Sequence, residues 1–67
     1  MFEAMKRRSK FEIGQNVHFV YNGYAFLGTV RQVTDDSYFV EAFEQHKDEV
    51  VKMAGSEIVE VKHSQVY

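Results

Sequence analysis

The sequence predicts a single all-β domain, a small barrel of five short strands. Residues 17–33 have the pattern of two strands joined at Asn22-Gly23, because a type I′ hairpin turn needs positive φ at both central residues and Asn-Gly tolerates this best. Further β-branched and aromatic runs follow, separated by turn-forming residues, and the chain contains no proline. The absence of a long helical pattern completes the argument for an all-β fold.

The remaining elements follow from alternation and turn composition. The predicted strands are residues 17–21, 24–34, 38–43, 49–53 and 58–62. Gly28 lies inside the second strand, where an interior glycine commonly marks a bulge or a bend. We predict a turn at 35–37, a loop at 44–48, a 3₁₀ turn at 54–57 before the last strand, and a frayed tail at 63–67. The predicted core contains Phe19, Leu27, Val30, Val33 and Phe39.

Charge divides the chain into a basic N-terminal arm, residues 1–10, a domain at 11–62 and a tail at 63–67. The formal net charge of −2 conceals a difference between these parts. The arm carries Lys6, Arg7, Arg8 and Lys10 against a single acidic residue, whereas residues 11–67 carry four basic and nine acidic residues. No apolar run approaches the roughly 20 residues of a membrane helix, and the N-terminus lacks the apolar core of a signal peptide. We therefore expect a cytoplasmic protein that does not contact membranes.

A resemblance to a known fold family extends over residues 11–61. It is carried by Ile13-Gly14 before the first strand, by Gly28-Thr29-Val30 with Val33, by Val40, and by the turn before Ile58-Val59. In this pattern the chain resembles SH3-like barrels of the KOW and Tudor type. The resemblance implies a small barrel that acts as a binding module, and an aromatic cage of the methyl-lysine type would draw on Tyr21, Tyr24, Phe26, Tyr38 and Phe43.

No pattern of residues predicts catalysis, a cofactor or a metal site. The chain lacks a glycine-rich phosphate loop and the G-x-S-x-G and H-E-x-x-H motifs. It has no cysteine, and His18, His46 and His63 match no common zinc spacing. Asp35 and Asp36 are explained by a turn. We expect a protein that is not an enzyme.

Aromatic and acidic residues are the strongest candidates for a binding surface. Six phenylalanines and four tyrosines exceed what one small core buries, so some of them are expected to be exposed. The predicted contact residues are Tyr21, Tyr24, Phe26, Tyr38, Asp35, Asp36, Glu41, Glu44, Asp48 and Glu49. Such a surface favours a basic protein partner, and in the extreme case it imitates DNA phosphates and inhibits a nucleic-acid-binding protein.

Two alternatives remain open on the sequence. The basic arm, with Lys6, Arg7, Arg8 and Lys10, predicts direct nucleic-acid binding in which the exposed aromatic rings stack on bases. The second alternative is a homodimer in which the aromatic patch is the interface between the two copies.

Overall fold

The computed structural model describes residues 10–67, so Lys6, Arg7 and Arg8 of the predicted basic arm lie outside the described residues. The elements are β1 (Asn16–Tyr21), β2 (Tyr24–Val33), β3 (Ser37–Ala42), α1 (Glu44–Ala54), β4 (Ile58–Lys62) and a 3₁₀ helix (His63–Gln65). The strands form one antiparallel sheet in the order β1-β2-β3-β4. The fold is thus rich in β structure, as predicted, but the described residues form an open four-stranded sheet with one helix and not a closed five-stranded barrel.

The hairpin between β1 and β2 is confirmed in detail. Asn22 and Gly23 have φ values of 54° and 84°, which are the positive angles that a type I′ turn requires. The turn fixes the register, so that Phe19 is opposite Phe26 and Val17 is opposite Gly28. The side chains of Val17, Phe19 and Phe26 therefore face inward and form the part of the core that β1 and β2 contribute.

The predicted fourth strand at residues 49–53 is wrong, because this stretch belongs to helix α1. His46, Val50 and Met53 recur at helical spacing, and only Val50 among them is fully buried. Most other residues of α1 are good helix formers. Gly55 ends the helix with φ 80°, and its N–H donates to the carbonyl of Val51. The helical spacing of these residues, and not a strand pattern, therefore decides the structure of this stretch.

The C-terminal residues also differ from the prediction. Residues 55–57 form a bend, and the 3₁₀ helix follows β4 at His63–Gln65. The chain then returns to β1, where Val66 forms an isolated bridge with Phe19 and is buried. His18 and Tyr67 exchange two backbone hydrogen bonds of 2.8 and 2.9 Å. Residues 66 and 67 therefore extend the β1 edge and are not a frayed tail.

Gly28 permits a close approach of neighbouring strands and does not mark the bulge. The register shift in β2 lies between Val30 and Gln32. Gly28 is buried, and a Cβ atom added there would lie 2.6 Å from the carbonyl oxygen of Glu41 and 2.9 Å from the ring of Phe19. The prediction of a bulge at Gly28 is therefore wrong in its position, and the glycine is explained by packing.

The core lies on one face of the curved sheet, and Val50 of α1 packs against it. Its largest fully buried side chains are Tyr38 and Phe19. Phe39, predicted to be buried, is only half-buried, because β3 turns the face that carries Tyr38, Val40 and Ala42 towards the core. Alternation in the sequence places Tyr38, Val40 and Ala42 on one face and Phe39, Glu41 and Phe43 on the other. This grouping is confirmed for β3, but the prediction that Phe39 is buried is wrong.

The hydroxyl of Tyr38 also holds the chain that leads into β1. It accepts hydrogen bonds from the N–H groups of Lys10 and Phe11 at 3.0 and 3.2 Å. We expect Tyr38→Phe to lower the free energy of unfolding by about 1 kcal/mol, because these donors lose a protein acceptor. Urea denaturation measures the change. Tyr67→Phe is the matched control, since Tyr67 is 57% exposed, and an equal loss in both variants would contradict this role for Tyr38.

Candidate interaction surface

Helix α1 carries its charge on the side away from the core. Its second turn and its end pack inward through Val50, Met53 and Ala54. The opposite side exposes Glu44, Gln45, Asp48, Glu49 and Lys52. Glu44 lies in the first turn, where a carboxylate interacts favourably with the helix dipole. The exposed side of α1 is therefore predominantly acidic.

The β1–β2 hairpin lies beside this helix. The side-chain amide of Asn22 donates to the sulfur of Met53 at 3.4 Å, and the rings of Phe26 and His46 meet edge to face at 5.3 Å. Glu49 is three residues after His46 and four before Met53, so it lies on the side of α1 that borders the hairpin. Glu49 is consequently the acidic residue of α1 placed nearest the hairpin.

Tyr24 brings an aromatic side chain to the same region. It is 60% exposed, and its ring lies 6.5 Å from that of Phe26, which in turn contacts His46 of α1. Tyr21 is its neighbour across the hairpin and is half-buried against the core. We call the set Tyr21, Tyr24, Glu44, Asp48 and Glu49 the helix–hairpin surface. It contains half of the residues that the sequence predicted for partner binding.

Two basic side chains of the domain are engaged in ion pairs. Lys47 Nζ lies 3.1 Å from Oε1 of Glu44 and 3.1 Å from Oε1 of Glu57, and hydrogen bonds to Glu57 and Glu44 raise the pKa of Lys47. Arg31 Nε lies 3.3 Å from Oε1 of Glu41. Glu41 and Glu44 thus face cations of the same chain, whereas Asp48 and Glu49 form no ion pair with any residue between 10 and 67.

The other predicted contact residues lie elsewhere. Phe26 and Tyr38 are 4% and 1% exposed and belong to the core, so neither presents the open aromatic face that was expected. Asp35 and Asp36 are exposed in the β2–β3 turn, at the opposite end of β3 from α1. The length of β3 separates the two sets of acids by roughly 20 Å. The acidic residues that were predicted to form one surface therefore lie on two separate surfaces.

The β2–β3 turn adjoins a polar cavity that the sequence did not predict. Ser37 is buried, and its Oγ lies 2.7 Å from both Oε2 of Glu60 and Oγ1 of Thr34. The cavity measures about 380 Å³ and is lined by Asp36, Ser37, Glu60, Val61 and Lys62. Its residues come from the start of β3 and the end of β4, which are neighbours only through the pairing of Ser37 with Lys62. No local sequence signal joins them.

The three histidines each contact an aromatic ring. His18 stacks on Tyr67 at 5.4 Å, His46 meets Phe26, and His63 lies 4.4 Å from Tyr38. His63 Nε2 donates to the carbonyls of Thr34 and Ser37, because a carbonyl oxygen only accepts hydrogen bonds. Within residues 10–67, no three histidine or acidic side chains gather in a way that could hold a metal ion.

Lys10, the last residue of the predicted basic arm, is exposed. No helix within residues 10–67 has the length and apolar character needed to cross a bilayer. No protein-family model matches the sequence, and comparisons with curated proteins and with solved structures gave no match either.

Proposed function

We propose that this chain is a non-catalytic module of the SH3-like type that binds a basic protein partner through its helix–hairpin surface. The family assignment is supported by the antiparallel succession of β1 to β4, by the 3₁₀ helix after β4 and by the return of Val66 to β1. Helix α1 between β3 and β4 is then an insertion that contributes acidic residues to the binding surface.

The observation that carries the proposal is the exposed acidic side of α1, a helix that contacts the hairpin on which Tyr24 is exposed. Tyrosine is frequent at protein interfaces, because it offers a large contact area with a polar end, and carboxylates around it select a cationic partner. Residues 10–67 include nine acidic and five basic residues, and two of the basic residues are already in ion pairs. The domain therefore offers a cationic partner uncompensated negative charge.

A partner of this chemistry includes proteins that bind nucleic acids. Carboxylates spaced along α1 would take the place of phosphates on the partner's basic face, so binding would exclude the nucleic acid. In this form of the proposal the chain is an inhibitor that imitates DNA. An adaptor that binds a basic face without blocking it is the other form.

Charge reversal on α1 tests the proposed surface. We expect Asp48→Lys combined with Glu49→Lys to reduce retained partner by about tenfold in affinity capture from lysate, because like charges then face each other. Nuclease-treated extracts and quantitative mass spectrometry provide the readout. The matched control is Asp35→Lys with Asp36→Lys, which changes the same charge at the opposite end of β3. Equal capture by both variants and the wild type would contradict the helix–hairpin surface as the binding site.

Direct nucleic-acid binding by the basic arm is the alternative. It predicts that capture is lost on nuclease treatment and falls steeply with salt, because phosphate contacts release counterions. A homodimer through Tyr24 is a further outcome, and size-exclusion chromatography with light scattering detects it.

A further inference from the structure

Within residues 10–67, strand β4 is an edge of the sheet, and the hydrogen-bond pattern shows which backbone groups it presents. The N–H of Ala42 donates to the carbonyl of Glu57, and the N–H of His63 donates to the carbonyl of Asp36. These bonds fix the alternation of the β3–β4 ladder, in which Val59 and Val61 exchange hydrogen bonds with β3. The intervening residues of β4 therefore point their backbone groups away from β3.

Most of these backbone groups have no hydrogen-bond partner in the described part of the chain. The N–H of Ile58 donates to Oγ of Ser56 at 3.1 Å. For the N–H and carbonyl of Glu60 and the N–H of Lys62, no hydrogen-bond partner exists within residues 10–67. At the opposite edge of the sheet, Tyr67 pairs with His18 of β1. The two edges thus differ: residues 66 and 67 cover part of the β1 edge, whereas no described strand pairs with the outer side of β4.

The side chains along β4 define what kind of strand fits. Ile58, Glu60 and Lys62 are all exposed on the outer face and present an apolar, an acidic and a basic side chain in turn. The cavity of about 380 Å³ adjoins this edge, and Glu60 and Asp36 line it together. A cationic side chain opposite Glu60 would border the cavity that these two carboxylates line together with Lys62.

We propose that β4 binds an extended peptide segment of a partner protein by antiparallel strand addition, with an arginine or lysine of the peptide opposite Glu60. Cross-strand complementarity then places an acidic residue opposite Lys62 and a β-branched apolar residue opposite Ile58. From its N-terminus, the segment thus has an acidic residue, then a basic one and then an apolar one, each separated from the next by one residue of any type. Its backbone gains hydrogen bonds to Glu60 and Lys62, as in other peptides recognised at sheet edges.

A second copy of this chain fits the edge poorly. Antiparallel pairing of two β4 strands centred on Glu60 sets the two Glu60 carboxylates opposite each other, and like charges in that position are destabilising. This binding site is separate from the helix–hairpin surface, so either can exist without the other.

The test uses the full chain labelled with ¹⁵N and an acetylated, amidated peptide of sequence Thr-Glu-Val-Arg-Val-Ile-Thr. We expect the largest amide shift changes at Glu60 and Lys62 and slower hydrogen exchange of the Glu60 amide. A peptide with glutamate in place of arginine is expected to bind about tenfold more weakly, since a like charge then faces Glu60. Shift changes confined to other strands, or equal binding of the two peptides, would overturn the proposal.

Two variants at Glu60 separate backbone pairing from charge. Glu60→Gln removes only the carboxylate, so binding is expected to weaken. Glu60→Pro removes the carboxylate and also the outward N–H, and it leaves the β3–β4 hydrogen bonds in place, so binding is expected to be lost. If this variant does not fold, the charge exchange decides: Lys62→Glu should weaken binding, and the peptide with lysine in place of its glutamate should restore it. Failure of that restoration, or a dimer in light scattering that protects the Glu60 amide, would overturn the proposal.

Discussion

Gly28→Ala is expected to lower the free energy of unfolding by about 3 kcal/mol, the upper end of the range for overpacked cores. The added Cβ would lie 2.6 Å from the carbonyl oxygen of Glu41 and 2.6 Å from Cγ1 of Val40. A backbone oxygen cannot move aside as a flexible side chain can, so β2 and β3 would have to separate. Urea denaturation followed by circular dichroism measures the loss.

Gly14→Ala provides the control for this prediction. Gly14 has φ 93°, and a Cβ there would meet no atom within 4 Å. Its replacement carries the backbone cost of a positive φ, about 1 kcal/mol, and no clash. If Gly28→Ala destabilises the protein no more than Gly14→Ala does, the close approach of the strands at Gly28 is not a determinant of stability.

Removing Val66 and Tyr67 is expected to be comparably severe. Val66 is 3% exposed, and burial of a valine contributes about 1.5–3 kcal/mol. The deletion also removes both backbone hydrogen bonds between His18 and Tyr67, which contribute about 1 kcal/mol each. A domain of this size has a small stability margin, so we expect a large fall in Tm, measured by circular dichroism.

Val66→Ala and Val51→Ala give the matched comparison for the C-terminal segment. Val51 is 41% exposed on α1, so its truncation removes little buried area. Val66→Ala should lower Tm clearly, whereas Val51→Ala should leave it nearly unchanged. If the deletion variant had the same Tm as the full-length chain, the return of residues 66 and 67 to β1 would not be needed for folding.

Local rules predicted the first half of the fold well, because its elements depend on neighbouring residues. Asn22-Gly23 specifies its own turn, and alternation assigned the two faces of β3. The errors arose where tertiary contacts decide. The buried face of β3 depends on contacts with the rest of the fold, and Val66 is buried beside Phe19, a residue distant from it in the sequence.

The failure to predict helix α1 affected the candidate site more than any other error. The helical spacing of His46, Val50 and Met53, with Gly55 as the end signal, was present in the sequence, but a strand at 49–53 was predicted. With α1 in place, Asp48 and Glu49 lie on a helix that contacts the β1–β2 hairpin, whereas Asp35 and Asp36 lie at the other end of β3. Glu60 and Ser37 meet only through strand pairing, so no spacing in the sequence indicates their cavity.

The most direct test of the proposed function is affinity capture from nuclease-treated lysate with two full-length variants. In one, Lys6, Arg7 and Arg8 are replaced by glutamine, and in the other Asp48 and Glu49 are replaced by lysine. The account predicts that a basic partner remains bound to the first variant and is lost from the second. Loss of the partner from the first variant and its retention by the second would contradict the account and assign binding to the basic arm.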